Sequence, residues 1–333
     1  MSRFYSFIIP VFNRPQELRE LLHSISGLRG SIPFEVVVVE DGSSLKSEGV
    51  LSDFQSLDIT YFCKNNSGPG DSRNYGMDRA KGDYFIILDS DCILTQEYLV
   101  VVDRELNESF VECFGGPDAA HQSFNLRQKV ISFVMTSFFT TGGVRGNKRG
   151  LKRYEPRSFN MGLSKQAFEA SGGFGNLHPG EDPELVQRLW ELGYDTAFFP
   201  QALVFHKRRI TWASYAKQIF KFGLARSILN AMRPKYGSFI FWLPVILVIT
   251  AFTSVILALF GSPELVYIAL IYLCILALVG MLKIRSVIAF FAVPMTFGIQ
   301  LLSYAYGFIV GWFYLRLLKR DARQQFPEMY FKG

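Results

Sequence analysis

Two aspartates one residue apart, Asp89 and Asp91, lie where a predicted buried strand ends. The strand is the short apolar run 84–88, and Gly82 and Asp83 precede it. Its length and composition are typical of a parallel sheet covered on both faces. Open α/β sheets bind their ligands at the carboxyl ends of such strands. Neighbouring carboxylates repel each other unless a cation lies between them, and a divalent metal carrying phosphates is the usual cation there. A solvated acidic turn or helix cap at Asp91 is the alternative interpretation.

The segment before these aspartates alternates strand and helix patterns. Predicted strands cover 6–11, 34–40, 59–63 and 83–88, and predicted helices begin at Pro15 and near Gly68. This βαβ rhythm predicts an α/β fold with a mostly parallel, doubly wound sheet and right-handed crossovers.

Two further polar residues follow the ends of predicted strands. Asn13 comes after the first strand and Asp41 after the second. Because parallel strands end at one edge of the sheet, Asn13, Asp41, Asp89 and Asp91 are expected to share a site. Asp41 begins an Asp-Gly-Ser-Ser stretch, which is also ordinary turn chemistry.

Charge is unevenly distributed along the 333 residues. The chain has 35 Lys and Arg against 29 Asp and Glu, yet from 239 to 315 only Glu264, Lys283 and Arg285 are charged. That stretch is long enough for several membrane spans of about 20 residues each. Basic residues beside such a segment favour membrane lipids as partners, and no nucleic-acid partner is predicted.

The four cysteines are far apart and form no CxxC pair, which disfavours structural zinc and a disulfide framework. They suit a reducing compartment. The apolar run at the N-terminal end, residues 4–11, is too short for a signal peptide. The polar part of the chain is therefore expected in the cytoplasm.

Four motifs together resemble those of the inverting family 2 glycosyltransferases, which have the GT-A fold. Residues 6–13 resemble the family's opening strand and Pro-x-Tyr-Asn turn, with Phe12 in place of tyrosine. Residues 38–43 are similar to its second-strand motif, 68–76 to its Gly…Ala-Arg-Asn-x-Gly segment, and 88–91 to its Asp-x-Asp. They occur in family order and spacing, and the resemblance covers about residues 4–230.

The resemblance implies roles for individual residues. The donor would be a nucleotide-diphosphate sugar, and the metal Mg²⁺ or Mn²⁺. Asp89, Asp91 and His206 are the implied metal ligands, although a lone histidine is also often a structural hydrogen-bonding residue. The residues implied to bind the nucleotide sugar are Pro10, Phe12, Asn13, Glu40, Asp41, Arg73, Asn74 and Asp89.

A second acidic cluster, Gly180-Glu181-Asp182-Pro183-Glu184, is similar to the family's Glu-Asp motif. An acceptor hydroxyl must lose its proton as it attacks the anomeric carbon, and an ionised carboxylate within reach can take that proton. The resemblance implies Asp182 as this general base and Glu181 as a supporting acceptor contact. The same acids suit the N-terminus of a helix, and both interpretations can hold together.

The predicted domains are a GT-A domain over 1–235, with an interfacial helix near 212–230, a transmembrane region over 239–315, and a basic tail over 316–333. Segments 239–260 and 265–282 are predicted spans. A third stretch, 287–315, contains Pro294 and Gly298 and is a full span or a kinked or re-entrant segment.

The positive-inside rule leaves the topology of the third stretch open. Arg226, Arg233 and Lys235 place the first span's entrance in the cytoplasm, and Lys283 and Arg285 suit a cytoplasmic second loop. Three full spans would put the basic residues of 316–323 outside, against the rule.

The sequence thus predicts a membrane-anchored, inverting glycosyltransferase of the inner (cytoplasmic) membrane, multi-pass, with its catalytic domain in the cytoplasm. The acceptor would be a hydroxyl of a lipid-linked or cell-envelope glycan. One alternative transfers sugar to polyprenyl phosphate, but that acceptor is already an anion and needs no base, so Glu181 and Asp182 disfavour it. The other is a non-catalytic, membrane-tethered protein that binds sugar nucleotides.

Overall fold

The structure is a computed structural model that describes residues 3–121, 123–141, 154–207 and 211–331. The chain forms two compact units. The first comprises Met1–His121, Val144–Lys207 and Phe331–Gly333, and the second Gln122–Gly143 and Arg208–Tyr330. The units do not follow the linear order of the chain, and the division predicted at residue 235 lies inside the second unit.

The described elements are numbered along the chain. The strands are β1 (Tyr5–Val11), β2 (Phe34–Asp41), β3 (Ile59–Lys64), β4 (Tyr84–Ile87), β5 (Cys92–Leu94), β6 (Cys113–Gly115), β7 (Asp118–Ala119), β8 (Met161–Ser164), β9 (Thr196–Phe198) and β10 (Val204–His206). The α-helices are α1 (Pro15–Ser26), α2 (Glu48–Leu51), α3 (Pro69–Met77), α4 (Tyr98–Glu108), α5 (Leu126–Thr136), α6 (Phe138–Thr141), α7 (Lys165–Ser171), α8 (Glu181–Glu191), α9 (Trp212–Met232), α10 (Leu243–Leu259), α11 (Glu264–Ile284), α12 (Ile288–Trp312) and α13 (Ala322–Gln325). Short 3₁₀ turns cover Ser52–Phe54, Pro234–Tyr236, Phe239–Trp242 and Pro327–Met329, and a π-turn covers Phe313–Leu317.

The main sheet of the first unit has seven strands in the order β3-β2-β1-β4-β8-β6-β9. Every neighbouring pair is parallel except the two that involve β8. The predicted mostly parallel α/β fold is confirmed, and the four predicted strands near the start of the chain are present with ends shifted by one or two residues.

Helices cover both faces of this sheet, and alternate residues of the central strands point to opposite sides. In β2, Val36 and Val38 pack with Leu18 of α1 and Leu99 of α4. Val37 and Val39 join the other layer, which contains residues of α3, α7 and α8. This explains why β2 has four consecutive valines, because the side chains on both faces of its middle pack against apolar helix residues.

A smaller sheet lies in the same unit, with the strand order β5-β10-β7. Its β10 runs antiparallel to β5, and His206 pairs with Cys92. Cys92 directly follows Asp91, so this pairing is what brings the predicted late histidine next to the aspartates.

In the second unit, α9 and α12 pack closely because glycines remove side chains at their crossing. A Cβ on Gly223 of α9 would overlap the backbone of Tyr304, and a Cβ on Gly307 of α12 would overlap the backbone of Phe220. Gly311 similarly faces Ser227 at 2.6 Å from a built Cβ. The predicted helix near 212–230 is present as α9, but its apolar face packs in part on α12.

Three helices among the described residues are long and apolar enough to cross a membrane: Phe239–Leu259, Glu264–Ile284 and Ile288–Leu317. The first two agree with the predicted spans. The third is a single continuous helix that contains Pro294, and it is the least apolar and the most buried of the three.

Candidate active site

The carboxyl ends of β2 and β3 are held together by Asp41, which is buried at the end of β2. Its carboxylate accepts hydrogen bonds from Lys64 Nζ at 2.7 Å and from the backbone N–H groups of Ser67 and Gly68, both at 3.0 Å. Gly68 has φ +99°, a conformation that favours glycine. Asp41 therefore orders the turn that leads into α3.

Asn13 and Glu40 order the neighbouring turn in the same way. Asn13 adopts φ +54°, and its Oδ1 accepts hydrogen bonds from Leu45 N–H at 2.9 Å and Ser44 Oγ at 3.0 Å. Glu40 is fully buried and accepts from Ser47 N–H at 2.7 Å and from the hydroxyl of Ser43. These side chains shape the edge of the sheet, and Glu40 has no surface of its own to offer a ligand.

Two other predicted nucleotide contacts lie at the end of β1. Phe12 is half exposed, with 50% of its surface accessible, and its ring is available for stacking. Pro10 is part-buried within β1. The side-chain amide of Asn74, in α3, forms two hydrogen bonds with the main chain of Phe174. It donates to the carbonyl at 2.9 Å and accepts from the N–H at 2.8 Å. It fixes the Phe174 segment beside α3.

Arg73 of α3 links the two predicted acidic clusters. The side chain is 3% exposed, and its guanidinium lies 2.7 Å from Asp89 Oδ1, 3.3 Å from Glu181 Oε1 and 5.2 Å from the centre of the Phe174 ring. Burial alone would lower the pKa of Arg73, but Asp89 and Glu181 raise it well above its usual value. The arginine is thus a fixed cation that brings residues 108 positions apart into one site.

The second predicted aspartate, Asp91, is buried between a histidine and an arginine. Its Oδ1 lies 3.1 Å from His206 Nε2, and its Oδ2 pairs with Arg14. Burial would raise the pKa of Asp91, but His206 and Arg14 together hold it at about 2. The carboxylate is therefore ionised and attracts cations.

A metal fits part of this cluster. Ligand atoms of Asp91, Cys92 and His206 lie within 4.8 Å of one another. A carboxylate and an imidazole suit Mn²⁺, whereas burial raises the pKa of the Cys92 thiol and keeps it protonated. Asp89, the third predicted ligand, is directed at Arg73. Its role as a metal ligand stays a prediction.

Glu181 and Asp182 are the first two residues of α8, and their surroundings shift the two carboxyl pKa values in opposite directions. Glu181 contacts His178 Nδ1 at 3.0 Å and accepts from Gly180 N–H at 3.0 Å. Burial would raise the pKa of Glu181, but His178 and Arg73 lower it to about 2.

Asp182 is shifted in the opposite direction. Burial and the neighbouring Glu181 raise its pKa to about 6, although Arg73 and Arg157 oppose the change. Its Oδ1 is sealed from solvent and has no hydrogen-bond partner among the described residues. A carboxylate with a pKa near neutrality and an unmet acceptor atom is suited to take a proton at physiological pH.

The sequence-based predictions missed Lys64, Arg14, His178 and Phe331. Lys64 and His178 had a visible signal, since Lys64 follows the predicted third strand and His178 lies three residues before the acid pair. Nothing in the local sequence indicates that Arg14 pairs with Asp91, or that Phe331 returns to Gly68.

The fold and site define a GT-A domain with a fixed cation between two acidic clusters. Residues 6–170 match the family model described as "Glycosyl transferase family 2", and the chain belongs to this family. The match includes Asp41, Arg73 and Asp91, but ends before Glu181.

Two curated relatives show how far the likeness extends. The chain is 32% identical over 114 residues to the GalNAc(5)-diNAcBac-PP-undecaprenol beta-1,3-glucosyltransferase of Campylobacter jejuni, covering 33% of this chain and 37% of that protein. It is 24% identical over 223 residues to the probable glycosyltransferase YdaM of Bacillus subtilis, covering 64% of this chain and 53% of that protein. The alignments thus span only about a third to a half of these relatives.

A solved structure shares the fold over nearly the whole chain. The mannosyltransferase PcManGT of Pyrobaculum calidifontis, in complex with GDP-Man and Mn²⁺, has a TM-score of 0.55 at 16% identity, with 96% of this chain and 88% of that chain covered.

Proposed function

We propose that this protein transfers a sugar, with inversion, from a nucleotide-diphosphate sugar to a hydroxyl group of a lipid-linked or cell-envelope glycan. The observation that carries this proposal is the position of Arg73 between Asp89 and Glu181. Because one buried guanidinium contacts both carboxylates, Asp89, which we propose binds the donor, and the Glu181–Asp182 pair would belong to one site.

Asp182 is the general base of the proposed reaction. The acceptor hydroxyl would donate its hydrogen bond to the part-exposed carboxylate of Asp182 and give up its proton there. Its oxygen would form the bond to the anomeric carbon while the bond from that carbon to the diphosphate breaks. The electron pair leaves with the nucleoside diphosphate. Glu181, with a pKa of about 2, stays ionised and keeps the pKa of Asp182 high.

The donor would lie on the edge shaped by Asp41, Asn13 and Glu40, with Phe12 available to stack on the base. Asp91 and His206 would hold Mg²⁺ or Mn²⁺, with Asp89 adjacent. When bound, the metal offsets negative charge on the leaving diphosphate. The Pyrobaculum calidifontis protein of like fold is in complex with GDP-Man and Mn²⁺, which supports this choice of partners.

A lipid-linked acceptor is supported by two observations. The Campylobacter jejuni relative is named for an undecaprenol-linked acceptor. This chain also carries candidate membrane helices, which would keep the site near a bilayer. A hydrophobic acceptor concentrated in that bilayer would then be met at high local concentration.

We infer the membrane topology from one contact in the first unit. Phe331 lies beyond the last apolar helix, yet its N–H donates to the carbonyl of Asn176 at 2.9 Å. A residue bonded to the first unit lies on the same side of the membrane as that unit. The chain between residues 207 and 331 would therefore cross the bilayer an even number of times.

We assign the two crossings to α10 and α11 and place α12 on the cytoplasmic side. In the second unit, α9 packs along Tyr304–Phe308 of α12 and carries Lys217 and Lys221. If α12 spanned the bilayer, these lysines would lie at hydrocarbon depth, which is costly. Large apolar side chains of α12 that remain exposed, at positions 291, 295, 302, 306 and 309, would contact the membrane surface.

This topology also satisfies the positive-inside rule. It places the basic residues near 226–235, 283–285 and 316–323 together on the cytoplasmic side, and leaves only the uncharged turn 260–263 outside.

The function is tested with purified full-length protein and a panel of UDP- and GDP-sugars, by measuring nucleotide release with and without Mn²⁺. We expect release from one donor class, with loss in Asp91→Ala. Binding without any turnover would instead favour the non-catalytic protein. Transfer to polyprenyl phosphate that survives Asp182→Asn would favour the polyprenyl-phosphate enzyme.

The topology is tested by single cysteines in an otherwise cysteine-free protein, labelled in intact cells with a membrane-impermeant maleimide. Ser262→Cys should be labelled from outside, whereas Arg320→Cys should be labelled only after lysis. Labelling of Arg320→Cys in intact cells would contradict the assignment.

A further inference from the structure

A cavity of about 260 Å³ opens beside Glu181 in the first unit. It lies between the first turns of α3 and the segment 174–178 that precedes α8. The side chains that matter for its chemistry are Asp71, Phe174, His178, Glu181 and Phe331.

Phe331 is fastened into the wall of the cavity by both backbone and ring. Its N–H donates to the Asn176 carbonyl at 2.9 Å, and Asn176 Nδ2 donates back to the Phe331 carbonyl at 3.4 Å. Its ring covers Gly68, where a built Cβ would lie 2.5 Å from ring carbons, and its centre is 5.3 Å from that of His178. The absence of a side chain at Gly68 is therefore what admits the ring.

The polar groups of the cavity suit a neutral ligand. Its two carboxylates each have a basic neighbour, since Lys64 Nζ lies 3.1 Å from Asp71 and Arg73 Nη1 lies 3.3 Å from Glu181. The carboxylate oxygens can accept hydrogen bonds from such a ligand, for example from sugar hydroxyls.

The size and the aromatic lining of the cavity further restrict the class of ligand that it can hold. The volume is slightly below the range of about 300–1,000 Å³ found for pockets that hold drug-sized ligands, so one ring fits better than an oligosaccharide. Phe331 and Phe174 offer apolar surface for the C–H face of such a ring, while Asp71, His178 and Glu181 offer polar atoms for its edge.

We propose that this cavity binds one neutral pyranose of the acceptor, and that Phe331 is a specificity-determining residue in its wall. This inference rests on the proposed function, because only that function makes the bound sugar part of an acceptor. Glu181 lines the cavity and directly precedes Asp182, so a sugar bound there would lie beside the first turn of α8, the helix that carries the proposed base. Phe331 lies 161 residues beyond the segment that matches the family model, so this wall belongs to a part of the chain the family motifs do not include.

The test measures binding of methyl glycosides of hexoses and N-acetylhexosamines to full-length protein in nanodiscs, by saturation-transfer NMR without donor. We expect one glycoside class to bind wild type, and Phe331→Ala to weaken it about 3–10-fold, as for loss of one aromatic contact. Phe331→Tyr should bind within about twofold of wild type. Phe110→Ala, which removes a half-exposed phenylalanine elsewhere in the unit, should have no effect.

Three results would overturn the inference. In the first, wild type binds none of the glycosides. In the second, Phe331→Ala binds them more tightly than wild type, which would mean that the Phe331 ring blocks the cavity. In the third, Phe331→Ala loses UDP or GDP binding as well, which would make it a general structural residue. Glycoside binding that depends on Phe331 in a protein without transfer activity would instead refute only the proposed function, since binding is measured without turnover.

Discussion

Replacing Asp182 by asparagine should stabilise the folded protein at pH 8 while removing most of its transfer activity. Burial and Glu181 raise the pKa of Asp182 from 3.8 to about 6. Ionised Asp182 is therefore less favourable in the folded protein than in the unfolded chain. The stability that protonated Asp182 contributes to the folded protein is fully present below pH 3.8 and is lost as the pH rises through 6.

The difference between a pKa of 3.8 and one of about 6 corresponds to about 3 kcal/mol. Since the residue keeps part of its surface in solvent, we expect about 2 kcal/mol at pH 8. Asparagine has nearly the shape of the protonated acid and avoids this cost. The gain should shrink as the pH falls and disappear near pH 4.

Thermal unfolding of wild type and Asp182→Asn in one detergent, at pH 4 and pH 8, measures the stability difference. Asp78→Asn, at an exposed position after α3, is the matched control and should show no pH-dependent gain. Transfer by Asp182→Asn should fall by about 10²–10⁴-fold, as for general-base loss. The kcat/KM of wild type should fall as the pH is lowered through about 6. A variant less stable than wild type at pH 8, or one that keeps its turnover, would refute the reasoning.

Three further perturbations test other parts of the structure. Asp91→Ala should abolish Mn²⁺ binding measured by electron paramagnetic resonance, and His206→Ala should weaken it partially, because only the aspartate supplies charge. Arg73→Met should destabilise the fold by about 3–5 kcal/mol in thermal unfolding, because it removes the buried guanidinium that Asp89 and Glu181 both contact; unchanged stability would show that the arginine is not their counter-ion. Gly307→Ala should lower the melting temperature of the detergent-purified protein, because a Cβ there overlaps α9, whereas Gly298→Ala on the same helix meets nothing within 4 Å and should be neutral.

The sequence alone predicted the strands and the residues at their ends. Four consecutive valines indicate a strand buried on both faces, and the aspartates at the carboxyl ends of β2 and β4 are then expected at one edge of a parallel sheet. These inferences succeed because they depend on local periodicity and on chain direction, and both can be read from residues that are close together in the sequence.

The tertiary structure decided what each functional side chain contacts. Asp41 and Asp91 were predicted as ligand contacts, but whether Lys64 or Arg14 pairs with them depends on strands and turns distant in sequence. Likewise, α8 begins with two acids whose types predict similar pKa values. Burial, His178 and Arg73 separate those values to about 2 and about 6.

The apolar segment shows the same division. Composition predicted helices 239–260 and 265–282, because about 20 apolar residues suffice to identify a span. For α12 the length predicts a span equally well, but only the structure shows that its glycines pack it against α9. Composition measures how well a segment suits lipid, whereas packing decides whether lipid or protein covers it.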